Sequence, residues 1–185
     1  MTETATKMNI TNFLQLCSGN WFSQRTNYSL VGEETASNKA DISITIVNSE
    51  DSQITQLCQQ HRFDPQQSVG GLLYSWDTSV DWGKRKQKGS SLLVFIADSQ
   101  NDCQGKLIIN NTSKPGATNS GSYTIGEDDA VTLTINTPES NIQERIWFAS
   151  DNLKLRTTVI KNDKDITNTT FYSEIRKAPI KDEKA

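Results

Sequence analysis

The second half of the sequence consists of short alternating segments separated by turn signals, and this regular spacing is what most constrains the fold. Each segment has the two-residue alternation and the β-branched or aromatic content of a strand. Turn signals lie at residues 100–105, 114–121, 126–129, 151–152 and 162–165. Strands spaced by roughly 8–12 residues predict a sandwich or an up-and-down barrel. The predicted strands cover residues 92–97, 106–110, 122–125, 131–136, 143–149, 153–160 and 169–176.

The first half of the chain adds two predicted helices and three further strands, at residues 21–30, 41–47 and 72–76. Residues 9–18 predict a helix with Thr11 or Asn12 as its N-cap. Residues 51–60 predict a short second helix, capped by Ser52, that closes over an opening or packs beneath one. An N-terminal helix, a Gly-x-Trp opening to the first strand and an antiparallel meander resemble the lipocalin and fatty-acid-binding-protein class. The expected fold is therefore all-β, an antiparallel barrel of about ten strands around a ligand cavity.

Length and composition favour one domain over residues 1–185, with residues 1–8 and 177–185 flexible. No apolar run approaches the ~20 residues of a membrane helix, and no apolar signal core precedes the first helix. We therefore expect a cytoplasmic protein without membrane contact. The net charge of -3 gives no global attraction for nucleic acid. The basic run at residues 84–88 beside Trp82 predicts a solvated turn, with an acidic protein surface as another possible contact.

Thiol and imidazole chemistry are sparse in this chain. Cys17, Cys58 and Cys103 lie too far apart for a metal motif and are expected to be free thiols. His61 is the single histidine, so we expect no metal site.

The segment at residues 144–158, ERIWFASDNLKLRTT, places charges on alternating strand positions. Lys154, Arg156 and Thr158 share one face of their strand, and residues 153, 155, 157 and 159 share the other. By pattern alone the charged face meets water and the leucine face meets the core. In a barrel that holds a polar ligand the orientation reverses, and the cations line the cavity.

The connection between the two strands of this segment decides whether Glu144 joins that face. A two-residue Asp151-Asn152 turn pairs Trp147 with Arg156 and sends Glu144 to the opposite side. A loop with an odd number of residues puts Glu144 beside Arg156 and Thr158. The sequence leaves both registers open.

Aromatic residues near the middle of the chain offer a stacking surface. Tyr74 and Trp76 are two residues apart and therefore project to one face. If that face looks inward, it suits a conjugated ligand; otherwise both residues belong to the core.

Four blocks of the sequence together resemble the S-type phycobiliprotein lyases, the CpcS/CpeS/CpcU group of cyanobacteria and their plastid relatives. The blocks, in the order of that family, are WFSQRT at residues 21–26, residues 71–76, ERIWFASDNLKLRTT at residues 144–158 and FYSEIR at residues 171–176. The resemblance implies a lipocalin-like barrel that binds an open-chain tetrapyrrole, such as phycocyanobilin, and attaches it through a thioether to a cysteine of an apo-phycobiliprotein subunit.

The resemblance also implies roles for particular residues. Glu144 and Arg156 are expected to be catalytic, and the bilin-binding residues are expected to be Arg25, Tyr28, Tyr74, Trp76, Lys154 and Thr158. Lys154 stands where many members carry a second arginine, and Tyr28 stands where some carry histidine. The bilin is the substrate, so no separate cofactor is expected.

Partners follow from the same resemblance. They are the phycobilin, the apo-phycobiliprotein subunit and a second lyase copy or related subunit, in a homodimer or heterodimer. The alternatives are a non-catalytic bilin carrier, a partner subunit of a heteromeric lyase, and a barrel for apolar ligands such as fatty acids.

Overall fold

The computed structural model describes residues 7–113, 118–162 and 165–178, and within them the chain forms a closed antiparallel barrel of ten strands. Neighbours around the barrel follow the order β1-β10-β9-β8-β7-β6-β5-β4-β3-β2, so every strand pairs with its neighbours in sequence and the pairing of β1 with β10 closes the barrel. Closure leaves no unpaired sheet edge. The predicted fold is confirmed. The strands are β1 (Gly19–Ser29), β2 (Glu34–Val47), β3 (Ser68–Asp77), β4 (Lys88–Ala97), β5 (Gln104–Asn110), β6 (Thr118–Ile125), β7 (Val131–Asn136), β8 (Asn141–Ser150), β9 (Leu153–Lys161) and β10 (Ile166–Arg176).

The first helix, α1 (Ile10–Cys17), packs into the barrel interior. Its apolar residues recur at helical spacing, and Phe13 meets Phe95 and Phe148 edge to face. The N-cap is Asn9, whose side chain accepts from the Asn12 N–H at 2.8 Å, and not Thr11 or Asn12 as predicted. Asn9 immediately precedes Ile10, the first residue of the apolar stripe, so Thr11 and Asn12 lie inside the first turn.

The second helix, α2 (Ser52–Gln60), lies outside the barrel. Ile54, Leu57 and Cys58 pack on the outward side chains of β4 and β5, which include Leu92 and Val94. The expectation that this helix closes an opening is therefore wrong, and its N-cap is Asp51 rather than Ser52. Strands β4 and β5 are apolar on both faces because α1 covers one face and α2 the other.

The two halves of the barrel interior differ in polarity. Strands β4 to β7 turn apolar side chains inward, whereas β9 and β10 turn charged and hydroxyl side chains inward and β1 and β8 contribute both kinds. On β9 the charged face is therefore the inner one, and Leu153, Leu155 and Val159 lie on the outer face. Ion pairs among these inward side chains compensate for the usual preference of charge for water. The inward polar residues include Ser23, Glu144, Lys154, Arg156, Thr158 and Glu174.

The β8–β9 hairpin combines a two-residue turn with a β-bulge. Asp151 and Asn152 form the turn, and Ser150 pairs with Leu153. The next pair is Phe148 with Lys154, so Ala149 is an extra residue that shifts the register by one. As a result Glu144 pairs with Thr158, and Ile146 pairs with Arg156. The prediction that a two-residue turn sends Glu144 to the opposite side is wrong, because the bulge compensates for the even loop.

Both predicted flexible ends fall partly outside the described residues, which exclude 1–6 and 179–185. Within the described part, the Met8 N–H donates to Asp129 Oδ1 at 3.0 Å, and Lys177 Nζ lies 2.6 Å from Asp41 Oδ1. Parts of two predicted turns, residues 114–117 and 163–164, also lie outside the described residues. No helix among the described residues is long and apolar enough to cross a membrane.

Candidate functional site

A cavity of about 330 Å³ opens into the barrel between β1, β2, β3, β9 and β10. Its volume is at the lower end of the ~300–1,000 Å³ that is typical of ligand pockets. The wall combines two guanidinium groups, three aromatic rings and several hydroxyl and amide groups. The lining residues are Ser23, Arg25, Asn38, Lys39, Ala40, Ile42, Tyr74, Trp76, Thr78, Gln87, Arg156 and Tyr172.

Glu174 of β10 is the buried anion behind this cavity. It is 0% exposed, and it accepts from Ser23 Oγ at 3.1 Å and from Arg156 Nη2 at 3.2 Å. Lys154 Nζ lies 2.9 Å from Glu174 Oε2, an ion pair whose angles fall outside hydrogen-bond geometry. Burial opposes ionisation most strongly, but the opposing charges of Arg156 and Lys154 lower the pKa of Glu174 overall. Glu174 is therefore a carboxylate that fixes both cations.

Lys154 is not part of the cavity wall. The residue is 3% exposed, and its ammonium group lies between Glu174 and the Trp21 ring, 4.6 Å from the ring centroid. The indole N–H of Trp21 in turn donates to the Cys17 carbonyl at 2.9 Å. Lys154 thus joins the buried anion to the α1 plug, while the ligand space lies on the other side of Arg156.

Arg156 is the residue that connects the buried charges to the cavity. Its guanidinium lies 3.9 Å from the Tyr172 ring centroid and 5.7 Å from that of Tyr74. Nη1 donates to Glu144 Oε1 at 3.2 Å, and Nη2 donates to Glu174 and to the Tyr74 hydroxyl. Within the described residues, the buried Nε has no hydrogen-bond partner. Burial alone would lower the Arg156 pKa, but Glu144, Tyr74 and Glu174 raise it well above its usual value. Arg156 therefore stays protonated, and three of its five N–H donors are used in these hydrogen bonds.

Glu144 and Thr158 complete the polar cluster. Thr158 Oγ1 donates to Glu144 Oε2 at 3.2 Å, and Arg156 binds the other carboxylate oxygen. The Glu144 side chain is 20% exposed; neither Glu144 nor Thr158 lines the cavity, and Arg156 connects them to it. The register created by the bulge at Ala149 brings all three groups together.

The remaining predicted site residues divide into two groups. Arg25, Tyr74 and Trp76 line the cavity, with Arg25 exposed at its mouth. The Trp76 ring lies over Gly89 of the neighbouring strand, where any Cβ would overlap it. Tyr28 lies elsewhere: strand alternation puts it on the face opposite Ser23 and Arg25, and it is 42% exposed.

Three contributors were missed by sequence reasoning: Glu174, Tyr172 and Ser23. Ser23 and Arg25 share a face of β1, and Tyr172 and Glu174 share a face of β10. The pairing of Arg25 with Tyr172 and of Ser23 with Glu174 brings these faces together across the barrel closure. The alternation within FYSEIR signals which residues face the same way, but the β1–β10 pairing needed to place them is formed by residues about 150 positions apart.

The described residues of this site offer neither a cluster of metal ligands nor a reactive thiol. Among the residues that the structure describes, no group of three or more His, Cys, Asp or Glu is placed to hold a metal ion. The three cysteines are free, and burial raises the pKa of Cys17 to about 11. A protonated, buried thiol is a poor nucleophile.

These features define a class of protein, the ligand-holding antiparallel barrel with a cationic, aromatic-lined cavity. A family model for CpeS-like proteins matches residues 9–177. The chain belongs to this CpeS-like family.

Individual relatives agree with this membership. The chain is 37% identical to the chromophore lyase CpcS/CpeS of Thermosynechococcus vestitus, a match that covers 91% of this chain and 93% of the relative. It is 31% identical to the phycocyanobilin lyase subunit CpcS of a Picosynechococcus species, over 89% of this chain and 84% of the relative. Among solved structures, the S-type phycobiliprotein lyase CpeS from Guillardia theta matches with a TM-score of 0.78 at 25% identity, covering 93% and 94% of the two chains.

Proposed function

We propose that the protein is a phycobiliprotein chromophore lyase that binds an open-chain tetrapyrrole and delivers it to a cysteine of an apo-phycobiliprotein subunit. Relatives that match along most of the chain carry the name chromophore lyase. The observation that carries the proposal is Arg156 on the cavity wall, protonated and flanked by the rings of Tyr172 and Tyr74. That arrangement suits a flat, conjugated ligand that carries carboxylates.

The two bilin propionates require cations that the ligand can reach. Arg25 at the mouth and Arg156 deeper in the wall meet this requirement, and Tyr74 and Trp76 offer ring faces between them. Lys154, which the family resemblance suggests as a bilin ligand, is enclosed by Glu174 and Trp21. We therefore assign it the role of holding Glu174, and with it Arg156, in position. Tyr28 lies on the outer face and does not line the cavity, so no bilin contact is proposed for it.

Glu144 is the proposed acid–base partner of the chromophore. Its carboxylate accepts from Arg156 and Thr158 and keeps unused lone pairs. A pyrrole N–H of the bilin is a donor, and a protonated bilin is a cation, so a fixed carboxylate stabilises the protonated form. Protonation makes the ethylidene group of ring A a better electrophile.

The bond-forming step is an addition. The sulfur of the acceptor cysteine bonds to the ethylidene carbon, and the electron pair of the carbon–carbon double bond moves into ring A. The proton lost by the thiol ends on the ring carbon, so the step needs no oxidant or reductant. The attacking thiol belongs to the acceptor, in agreement with the buried position of Cys17 and Cys58. The barrel contributes orientation and exclusion of water.

The decisive experiment mixes the purified protein with phycocyanobilin and an apo-phycobiliprotein subunit. A covalent adduct that survives denaturation supports a lyase, whereas a shifted bilin absorption spectrum without adduct supports a carrier. Fatty acid added as a competitor should displace the bilin poorly, because it has one carboxylate rather than two and no conjugated rings to stack on Tyr74 and Trp76.

Variants of Glu144 and Arg156, the two proposed catalytic residues, test whether these side chains are needed for bilin transfer. Glu144→Gln should lower the transfer rate and change the bilin spectrum, and Arg156→Lys should lower bilin affinity because it loses the planar fork. Full transfer with an unchanged spectrum in Glu144→Gln would rule out the role given to Glu144. Glu50→Gln, an exposed carboxylate next to α2, is the matched control.

A further inference from the structure

The loop formed by residues 78–87 begins and ends at the mouth of the cavity. Thr78 and Gln87 both line the cavity, and they close the loop: the Thr78 N–H donates to the Gln87 carbonyl at 2.9 Å, and the Gln87 N–H donates to Thr78 Oγ1 at 2.8 Å. Whatever contacts this loop therefore stands beside the entrance of the ligand site.

Internal contacts hold the loop in one conformation. Asp81, itself buried, accepts from the Lys39 N–H of β2 at 3.0 Å and pairs with Lys84 Nζ at 3.4 Å. Lys84 also donates to the Ser37 carbonyl, and Lys86 donates to the Asp81 carbonyl at 2.7 Å. A loop that is ordered before binding loses less conformational entropy when it meets a partner.

The largest side chain at the tip of this loop, Trp82, is exposed to solvent. Trp82 is 91% exposed, although the other three tryptophans are partly or fully buried. The loop contains three cations and one carboxylate, whereas the whole chain has a net charge of -3. Among the described residues Arg85 is exposed and takes part in no ion pair. An exposed tryptophan and an unpaired arginine on a rigid support are the side chains most enriched at the energetic centres of protein interfaces.

We propose that residues 78–87 are the docking surface for the acceptor protein, with Trp82 as the apolar anchor and Arg85 as the contact to an acidic surface around the acceptor cysteine. The inference rests on the proposed function, since it names where that acceptor binds. A cationic patch on an otherwise acidic protein orients an acidic partner toward this side of the barrel. The partner's cysteine then arrives at the cavity mouth, where Thr78 and Gln87 form the rim.

A protein partner explains the patch better than nucleic acid does. Single-stranded nucleic acid binds along a basic groove with successive aromatic platforms. Here Trp82 stands alone at the tip, and the next cation along the chain, Lys88, is paired with Asp77 at 2.8 Å. The patch is compact, which suits one protein contact.

The test compares Trp82→Ala and Arg85→Glu with two matched variants away from the mouth. Ile175→Ala removes another exposed apolar side chain, 55% exposed on the outer face of β10, and Lys106→Glu makes the same charge change on β5. Three quantities are measured: the affinity for phycocyanobilin by absorption titration, the affinity of the bilin-loaded protein for the apo-subunit by sedimentation, and the rate of adduct formation.

We expect Trp82→Ala and Arg85→Glu each to weaken acceptor binding by about tenfold, the range of an interface anchor, with bilin affinity unchanged. The acceptor concentration at half-maximal transfer should rise in parallel, while the rate at saturation stays the same. Trp82→Phe should recover part of the loss. Added salt should weaken acceptor binding by the wild type more than by Arg85→Glu.

Equal acceptor binding by Trp82→Ala, Arg85→Glu and the wild type would overturn the docking surface. So would binding of a single-stranded oligonucleotide that these two substitutions abolish while acceptor binding persists. Failure of the proposed function looks different: the wild type then binds the acceptor without forming an adduct, and sedimentation still reports whether the loop holds it.

Discussion

Arg156 and Glu174 form an ion pair across β9 and β10, with Nη2 donating to Oε1 at 3.2 Å, and Glu174 is fully buried. Lys154 on one side and Glu144 on the other extend the pair into a row of two cations and two anions. The row has no net charge, so each member compensates its neighbours. Arg156 within this row lines the cavity, and Lys154 at one end lies over the Trp21 ring, whose indole N–H donates to the α1 residue Cys17.

Replacing Glu174 by glutamine should destabilise the protein by about 3–5 kcal/mol, the cost of leaving a buried ion pair with one partner. Lys154 would lose its carboxylate while remaining 3% exposed. Urea denaturation at neutral pH measures the change in the free energy of unfolding. Glu50→Gln, an exposed substitution of the same kind, should change that free energy by less than about 0.5 kcal/mol. A loss of unfolding free energy below about 0.5 kcal/mol in Glu174→Gln would contradict the role given to the Arg156–Glu174 ion pair.

The stability of the wild type should also depend on Glu174 at acidic pH. Its pKa in the folded protein is lowered from the ordinary value of 4.5, because Arg156 and Lys154 outweigh the effect of burial. The unfolded chain therefore binds the proton first as the pH falls. The stabilisation is present above the unfolded pKa and is lost as the pH falls through the folded pKa. Urea midpoints measured from pH 7 to pH 3 should fall less steeply for Glu174→Gln, and parallel curves would contradict this account.

Substitution of Gly89 by alanine should disturb the cavity through Trp76. A Cβ at this position would overlap the Trp76 ring, so the ring or β4 must move. Overpacking of this kind costs about 1–3 kcal/mol. The change should also lower the affinity for phycocyanobilin, measured by absorption titration, because Trp76 lines the cavity. Gly32→Ala is the control, since a Cβ there meets only ordinary contacts of 3.6 Å or more. Equal bilin affinity in both variants would mean that Trp76 does not contact the ligand.

Removal of the Tyr123 hydroxyl should stabilise the protein. Tyr123 is 1% exposed, and within the described residues its hydroxyl has no hydrogen-bond partner. Tyr123→Phe removes this unsatisfied group and should raise the free energy of unfolding by about 1 kcal/mol. Tyr74→Phe is the matched comparison and should lower it, because the Tyr74 hydroxyl accepts from Arg156 at 3.4 Å. Calorimetric unfolding of both variants measures whether the free energy of unfolding rises or falls in each. Two losses of equal size would show that the Tyr123 hydroxyl is satisfied.

The strand pattern could be predicted from sequence wherever one face is apolar. Strand β7 was predicted to the residue, because Val131, Leu133 and Ile135 alternate with polar residues. Strand β2, in contrast, begins at Glu34, seven residues before its predicted start, because its first half borders the polar cavity and shows no apolar alternation. Alternation identifies a strand such as β7, with one apolar and one polar face, but not the first half of β2, which has no apolar face.

The orientation of β9 could not be predicted from its own residues. Leu153 and Leu155 read as a core face, yet they lie on the outside, and Lys154 and Arg156 lie within. The reversal depends on Glu174, which becomes available only when β10 closes the barrel. The family resemblance gave the inward orientation because it treats the distant blocks as one site. The bilin contacts of Arg25 and Thr158 remain predictions, whereas Lys154 is enclosed by Glu174 and Trp21 and Tyr28 lies on the outer face.

Deletion of Ala149 should preserve the site, because this residue is the whole of the register shift between β8 and β9. Without it, Ser150 still pairs with Leu153 and Phe148 with Lys154, in a regular two-residue hairpin. Glu144 then stays opposite Thr158 and within reach of Arg156. The measurement is a double-mutant cycle on bilin transfer, with Glu144→Gln introduced into the wild type and into the deletion variant. The Glu144 substitution should lower transfer by the same factor in both. If it lowers transfer only in the wild type, the deletion has turned Glu144 to the outer face, and the bulge is required to aim the carboxylate inward.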